Sequence, residues 1–170
     1  MNADTIQKVI QFAARAHATQ LFPGTELPYL LHLAQVASEV TSAGGSELSV
    51  LCAWLHDTIE DTETSYETVQ ATFGVAVAQG VLALTKDSNL PKEQRMADSL
   101  ERILQQPADI AWVKLADRIS NLQGPPHYWT PEKIAGYREE AQQILDALGP
   151  SCPALAARLE AKITAYPPHN

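Results

Sequence analysis

Apolar residues recur at helical spacing along almost the whole chain, and no segment sustains the alternation of a half-buried strand. That property confines the fold to packed helices, and Gly, Pro and capping residues show where they divide. Asp4 is placed to cap a first helix whose inner face carries Ile6, Val9, Ile10 and Ala13. A turn at Phe22-Pro23-Gly24 follows. Pro28 is suited to open the next helix, because its missing N–H has no partner in a first turn anyway, and Gly44-Gly45 stops it. Ser46 caps a third helix over 47–59. Six more are expected over 65–73, 75–84, 91–105, 110–122, 131–149 and 153–166. VLCAWLHD and GVLALT are β-rich runs that fit buried helix equally well. With 170 residues, 45 % of them apolar, and no repeat, low-complexity tract or linker, the expectation is one compact all-α domain of about nine helices spanning residues 1–170.

Charge narrows the function. A net charge of −8 argues against a general nucleic-acid coat, which needs a basic face. No apolar run reaches the roughly 18 residues that span a bilayer, so no membrane partner is expected. The opening residues lack a signal-peptide pattern, and Cys52 and Cys152 do not make a disulfide framework. A cytoplasmic setting is the resulting expectation, and no pattern encodes an oligomeric state. The charge is also unevenly spread. No Lys or Arg lies between Ala16 and Thr85, a stretch that holds eight carboxylates together with His17, His32 and His56. Six of the twelve basic residues then fall from Lys86 to Arg118. This is either an acidic surface with chance clustering or a cation site facing an anionic ligand.

Three stretches carry the chemistry. In LCAWLHDTIEDT, a helix places His56, Asp57, Glu60 and Asp61 within an arc of roughly 140°, opposite Leu51, Cys52, Leu55 and Ile59. Such a stripe can be merely solvated, but no Lys or Arg balances its carboxylates, which repel one another at this spacing. In VKLADRISNL, Lys114, Asp117, Arg118 and Asn121 share a face. There, Lys114 and Arg118 are either salt-bridge partners of Asp117 or anion binders. In PYLLHLAQV, His32 stands among apolar residues, as a hydrogen-bonded core imidazole or as a ligand. Together His32, His56, Asp57 and Asp117 would form a two-His, two-Asp set for a divalent ion, with positions left for water and a substrate oxygen.

These stretches, with AARAH and Gln20 before them and FGVAVAQGVLALTK and LPKEQR between, resemble the HD phosphohydrolase superfamily over about residues 5–165. More narrowly they resemble the guanosine-tetraphosphate hydrolase domain of RelA/SpoT proteins and its small stand-alone relatives. The resemblance implies a divalent metal, usually manganese, on His32, His56, Asp57 and Asp117. It implies Glu60 and Asp61 as a catalytic acid/base pair, Asn121 on the nucleotide, and Lys114 and Arg118 beside the site. The implied reaction removes the 3′-pyrophosphate from guanosine tetra- or pentaphosphate. A polyanion needs positive charge, for which Lys86, Lys92, Arg95 and Arg102 are candidates.

The chain also departs from that pattern. The Arg-Lys usual after the Gln matching Gln20 is replaced by Leu21-Phe22-Pro23, Leu33 stands where a Pro is usual, and Glu101-Arg102 replaces a second Arg-Lys. Phe22 is then either a base-stacking residue or a loop aromatic packed on the fold. Two alternatives follow: an HD phosphatase acting on another nucleotide phosphate, or a non-catalytic nucleotide-binding domain.

Overall fold

A computed structural model describes residues 2–168. Its helices are α1 (Ala3–Ala16), α2 (Leu30–Ser42), α3 (Glu47–Leu55), α4 (Thr58–Asp61), α5 (Tyr66–Phe73), α6 (Val75–Leu84), α7 (Lys92–Leu104), α8 (Ile110–Asn121), α9 (Pro131–Leu148) and α10 (Pro153–Ala165). A 3-10 turn at Gly149–Ser151 joins the last two. Among the described residues the only β-type pairing is an isolated bridge between Leu21 and Pro28.

The capping chemistry explains most of these boundaries. Ser46, Ser65 and Thr130 each accept the N–H of the third residue onward, from Ser49, Thr68 and Lys133, and Pro131 occupies the first turn of α9. Two starts differ from expectation. Asn2, not Asp4, caps α1 by accepting from the Thr5 N–H at 2.8 Å. Asp4 lies in the first turn instead, where a carboxylate meets the positive end of the helix dipole. Pro28 lies before α2, which begins at Leu30, because residues 20–29 close on themselves through Phe22 N–H to Leu27 O and Tyr29 N–H to Gln20 O. The tip of that loop packs on a second loop. A Cβ at Gly24, where φ is +79°, would stand 3.0 Å from Pro126 Cα.

The expected third helix is broken in two, which turns nine helices into ten α-helical segments among the described residues. In an unbroken helix the Asp57 N–H would bond the Ala53 carbonyl. Here the His56 ring takes that carbonyl, Nδ1 to Ala53 O at 2.9 Å, and α4 starts afresh with Asp61 N–H on Asp57 O at 2.8 Å. His56 and Asp57 therefore sit in a turn between helices rather than on a continuous stripe.

Helices α2, α3 and α8 pack against one another at the centre, with α6, α9 and α10 around them. Leu33, Val36, Leu55, Ile110, Leu115, Ile144, Leu155 and Leu159 are buried in the core. Asp109 ties two helix starts together by accepting the Ser46 N–H at 3.0 Å. This packing brings buried His32 from α2, buried His56 and half-buried Asp57 from the turn after α3, and buried Asp117 from α8 to a common point.

Candidate metal centre and active site

The four residues at that point face one another through their polar atoms. His32 Nε2 lies 3.3 Å from His56 Nε2, 3.6 Å from Asp57 Oδ2 and 3.4 Å from Asp117 Oδ1. His56 Nε2 lies 2.9 Å from Asp57 Oδ2 and 3.7 Å from Asp117 Oδ1.

The far side of each ring fixes what these nitrogens can do. Ala53 O can only accept, so His56 Nδ1 carries a proton. Ser120 gives its proton to Gln35 Oε1 at 2.8 Å, and accepts from His32 Nδ1 at 3.0 Å. Both Nε2 atoms are left as the positions that take up a cation or a proton. Burial alone would lower the His56 pKa, but Asp57 and Asp117 outweigh it and lift it to about 10. His32 is raised by the same two carboxylates against the same opposition from burial. Burial would raise both carboxylic acids. Instead the imidazoles hold Asp57 well below its usual range, and Lys114, followed by the imidazoles, does so for Asp117.

The donor set fits a divalent metal ion. Two donors at about 2.1 Å from a common ion and at right angles to each other lie about 3 Å apart. The five separations that involve an imidazole nitrogen, 2.9–3.7 Å, bracket that value, and His32, His56 and Asp57 make the most compact group of the four. Imidazole with carboxylate suits first-row divalent ions, and hydrogen-bonded Nδ1 atoms behind the donors are what metal-ligating histidines have.

Other groups brace the donors. The Tyr29 hydroxyl donates to Asp57 Oδ2 at 2.6 Å, with its own pKa driven far up by burial and by Asp57. Lys114 Nζ lies 3.1 Å from Asp117 Oδ2, and the Asn121 amide donates to Asp117 Oδ1. Phe22 packs over His32 with ring centroids 5.6 Å apart, which is the fold-packing alternative for that residue. Tyr29, Ser120 and Gln35 were not among the residues singled out from sequence. Their only sequence signal is position: Tyr29 and Gln35 lie three residues either side of His32, and Ser120 three after Asp117.

A cleft of about 760 Å³, which none of the four donors lines, has Glu60 and Asp61 on one wall and Thr85, Lys86, Arg95 and Arg102 on another. Glu60 Oε2 accepts the Lys86 backbone N–H at 2.8 Å, and its Oε1 lies 3.7 Å from Lys86 Nζ. Asp61 Oδ2 accepts from Gln20 Nε2 at 3.1 Å, and its pKa is raised by partial burial and by Asp57. The two arginines are engaged by the protein itself. Arg95 bonds the Leu90 and Ser88 carbonyls, while Arg102 bonds Asp98 and the carbonyls of Leu82, Ala83 and Thr85. Lys92 does not line the cleft.

The structure does not bring Lys114 and Arg118 to that cleft. Lys114 is buried on Asp117, the salt-bridge alternative of the sequence reading. Arg118 is buried over the Tyr137 ring at 4.0 Å, donating to Tyr137 O and to Glu140 Oε2. It joins α8 to α9.

Comparison with known proteins agrees with this architecture. The family model described as HD domain matches residues 10–150. A Danio rerio guanosine-3′,5′-bis(diphosphate) 3′-pyrophosphohydrolase is 32% identical over 160 residues, covering 90% of this chain and 89% of that protein. The Homo sapiens protein of the same description is 35% identical over 153 residues, 86% of each chain. A solved metazoan ortholog of SpoT, described as hydrolysing ppGpp, superposes with a TM-score of 0.87 at 27% identity over 98% of both chains. A Listeria monocytogenes EGD-e structure, at 24% identity and a TM-score of 0.68, shares the fold.

Proposed function

The chain belongs to the HD-domain family, and on that premise we propose that it is a metal-dependent phosphohydrolase acting on guanosine tetra- or pentaphosphate. The reaction adds water across the ester between the ribose 3′-oxygen and its diphosphate, releasing pyrophosphate and leaving GDP or GTP. One observation carries this reading: His32, His56 and Asp57 form a compact donor group with Asp117 close to both imidazole nitrogens, and the helical turn that follows presents Glu60 and Asp61 to a cleft.

His32, His56, Asp57 and Asp117 would hold the ion, which we take to be manganese. When bound it supplies a water with its pKa brought toward about 7 and a positive charge that polarises a phosphoryl oxygen. Glu60 and Asp61 lie one turn beyond Asp57 and are the acid/base pair. Asp61, with its pKa raised, is suited to take a proton from water and deliver it to the departing 3′-oxygen. Glu60 is fixed by the Lys86 backbone, which leaves the Lys86 ammonium beside it to meet a phosphate. Lys114 and Asn121 hold Asp117, so on this geometry their effect on substrate runs through that ligand.

A second reading has one observation in its favour. Residues 20–29 carry no basic side chain, and Phe22 is spent on His32, so the loop offers no cation to a purine or a distal phosphate. Another nucleotide phosphate is then the substrate of the same chemistry. The purified protein with Mn²⁺ should release pyrophosphate from guanosine tetraphosphate. Turnover confined to other members of a nucleotide-phosphate panel would transfer the assignment to the second reading. No helix among the described residues is long and apolar enough to cross a membrane, and cytoplasmic action is part of the proposal.

A further inference from the structure

His17 is 4 % exposed, yet its Nε2 is buried with no protein partner. An unpaired buried ring nitrogen costs stability, and an apolar side chain would fill the same space without that cost. What the imidazole does make is one short bond, Nδ1 to Gln20 Oε1 at 2.6 Å. The amide oxygen can only accept, so His17 Nδ1 donates, and this fixes which way the Gln20 amide faces. Its NH₂ is thereby turned to Asp61 Oδ2, 3.1 Å away. His17 also stacks on Tyr29, with ring centroids 5.1 Å apart, and Tyr29 holds Asp57. One ring thus sits behind both the metal cluster and the acid/base pair.

We propose that Gln20, oriented by His17, is a positioning residue for Asp61. The amide pins one carboxylate oxygen and leaves the other to work at the cleft that Asp61 lines. The backbone reinforces the arrangement: Gln20 N–H donates to His17 O at 3.1 Å, and Gln20 O accepts the Tyr29 N–H at 2.9 Å. The side chain therefore projects from a closed loop rather than a free one. This inference rests on the reading of Asp61 as the proton-transferring group.

The test compares the parent with Gln20→Leu, Gln20→Glu, His17→Ala, His17→Asn and the Gln20→Leu/His17→Ala double variant. Each is assayed with Mn²⁺ on guanosine tetraphosphate and on a panel of nucleotide phosphates, with bound Mn²⁺ and melting temperature recorded. Gln20→Glu keeps the size and the acceptor toward His17 but replaces the donor toward Asp61 with a carboxylate oxygen that repels it, whereas Gln20→Leu removes the donor without adding charge. Misplacing a reacting group by about 1 Å can cost about 100-fold in rate. Gln20→Leu and Gln20→Glu should accordingly lose about 10- to 100-fold in kcat, with KM within about twofold and bound Mn²⁺ unchanged. His17→Ala should lose similarly. The double variant should lose no more than Gln20→Leu, because both changes break one chain of contacts. His17→Asn, whose amide nitrogen reaches about where Nδ1 stands, should recover most of that loss. An active parent whose Gln20→Glu variant keeps full kcat overturns the positioning role alone. So does loss that appears only as lower melting temperature and lower Mn²⁺ content. A parent inactive on every compound overturns the functional reading and this inference with it.

Discussion

His32 Nε2 and His56 Nε2 face each other at 3.3 Å with both Nδ1 protons committed behind them, to Ser120 and to the Ala53 carbonyl. Two lone pairs so placed, with Asp57 and Asp117 alongside, call for a positive charge. A divalent ion that binds only the folded state should stabilise it by about 2.7 kcal/mol at a concentration one hundred times its Kd. For a chain of this length that is an upward shift of about 5–10 °C in melting temperature. Thermal scans in EDTA and with Mn²⁺ measure it directly. Identical melting curves across a wide Mn²⁺ range would remove the metal centre.

The size of that shift should depend on pH, and its sign follows from His56. In chelated protein the Asp57 and Asp117 carboxylates lift the His56 pKa to about 10, above the ordinary value of 6.5, against the lowering effect of burial. A group raised on folding contributes stability that is fully present below its unfolded pKa and is lost as pH rises through the folded one. The chelated protein should therefore lose stability between about pH 7 and 10, whereas the ion-loaded protein does not depend on that proton. The gap between the two melting temperatures should widen with rising pH, and a gap that narrows would contradict this account.

Tyr29 is the most accessible test of the groups behind the ligands. Its hydroxyl donates to Asp57 Oδ2 at 2.6 Å, and the rest of its ring is packed on His17, His32 and Phe22. Tyr29→Phe keeps the packing and removes the bond. Loss of such an outer-shell partner typically lowers metal affinity by about 10- to 100-fold. Calorimetric titration with Mn²⁺ should show that loss with little change in secondary structure by circular dichroism.

Periodicity and caps carried the helix order: the core-facing positions of α1, α2, α8 and α10 repeat at helical spacing, and Ser or Thr caps precede α3, α5 and α9. The break at His56-Asp57 was not legible. It depends on a side chain competing with the backbone for Ala53 O, and nothing in the apolar pattern registers that competition. Convergence of His32, His56, Asp57 and Asp117 was anticipated from residue type and resemblance, since both identify donors. What binds behind the donors was missed: Ser120 and Gln35 are ordinary polar residues until α2 packs on α8. The roles of Lys114 and Arg118 were ambiguous for the same reason. A basic residue on a helix face can meet a ligand, its own helix or a neighbouring one: Lys114 turns to Asp117 of its own helix, and the packing of α9 takes up Arg118.

Glu60 and Asp61 separate an enzyme from a binding domain. Replacing both, Glu60→Gln and Asp61→Asn, removes the proposed proton-transferring groups and leaves His32, His56, Asp57 and Asp117, the proposed metal donors, intact. Acid/base groups of this kind contribute about 10²- to 10⁴-fold, so kcat should fall by that order while bound Mn²⁺ and nucleotide binding persist. A parent that binds guanosine tetraphosphate and never turns it over would instead favour the non-catalytic alternative.

Arg118 distinguishes a cation that holds the protein together from one that holds the substrate. Its guanidinium lies over the Tyr137 ring at 4.0 Å and donates to Tyr137 O and Glu140 Oε2, and the residue is 2 % exposed. Arg118→Met keeps an unbranched apolar stem in that space and deletes the charge. The Tyr137 carbonyl then loses its second donor beyond the helical one and Glu140 its partner, and losing hydrogen bonds from a charged group costs about 1–3 kcal/mol. That corresponds to a fall of about 2–12 °C in melting temperature for a chain of this length. Because the charge is directed at α9 and not at the cleft, KM should stay within about twofold of the parent at temperatures where the variant is folded. The opposite pattern, an unchanged melting temperature with a KM raised tenfold, would place the guanidinium on a substrate phosphate and require α9 to release it during turnover.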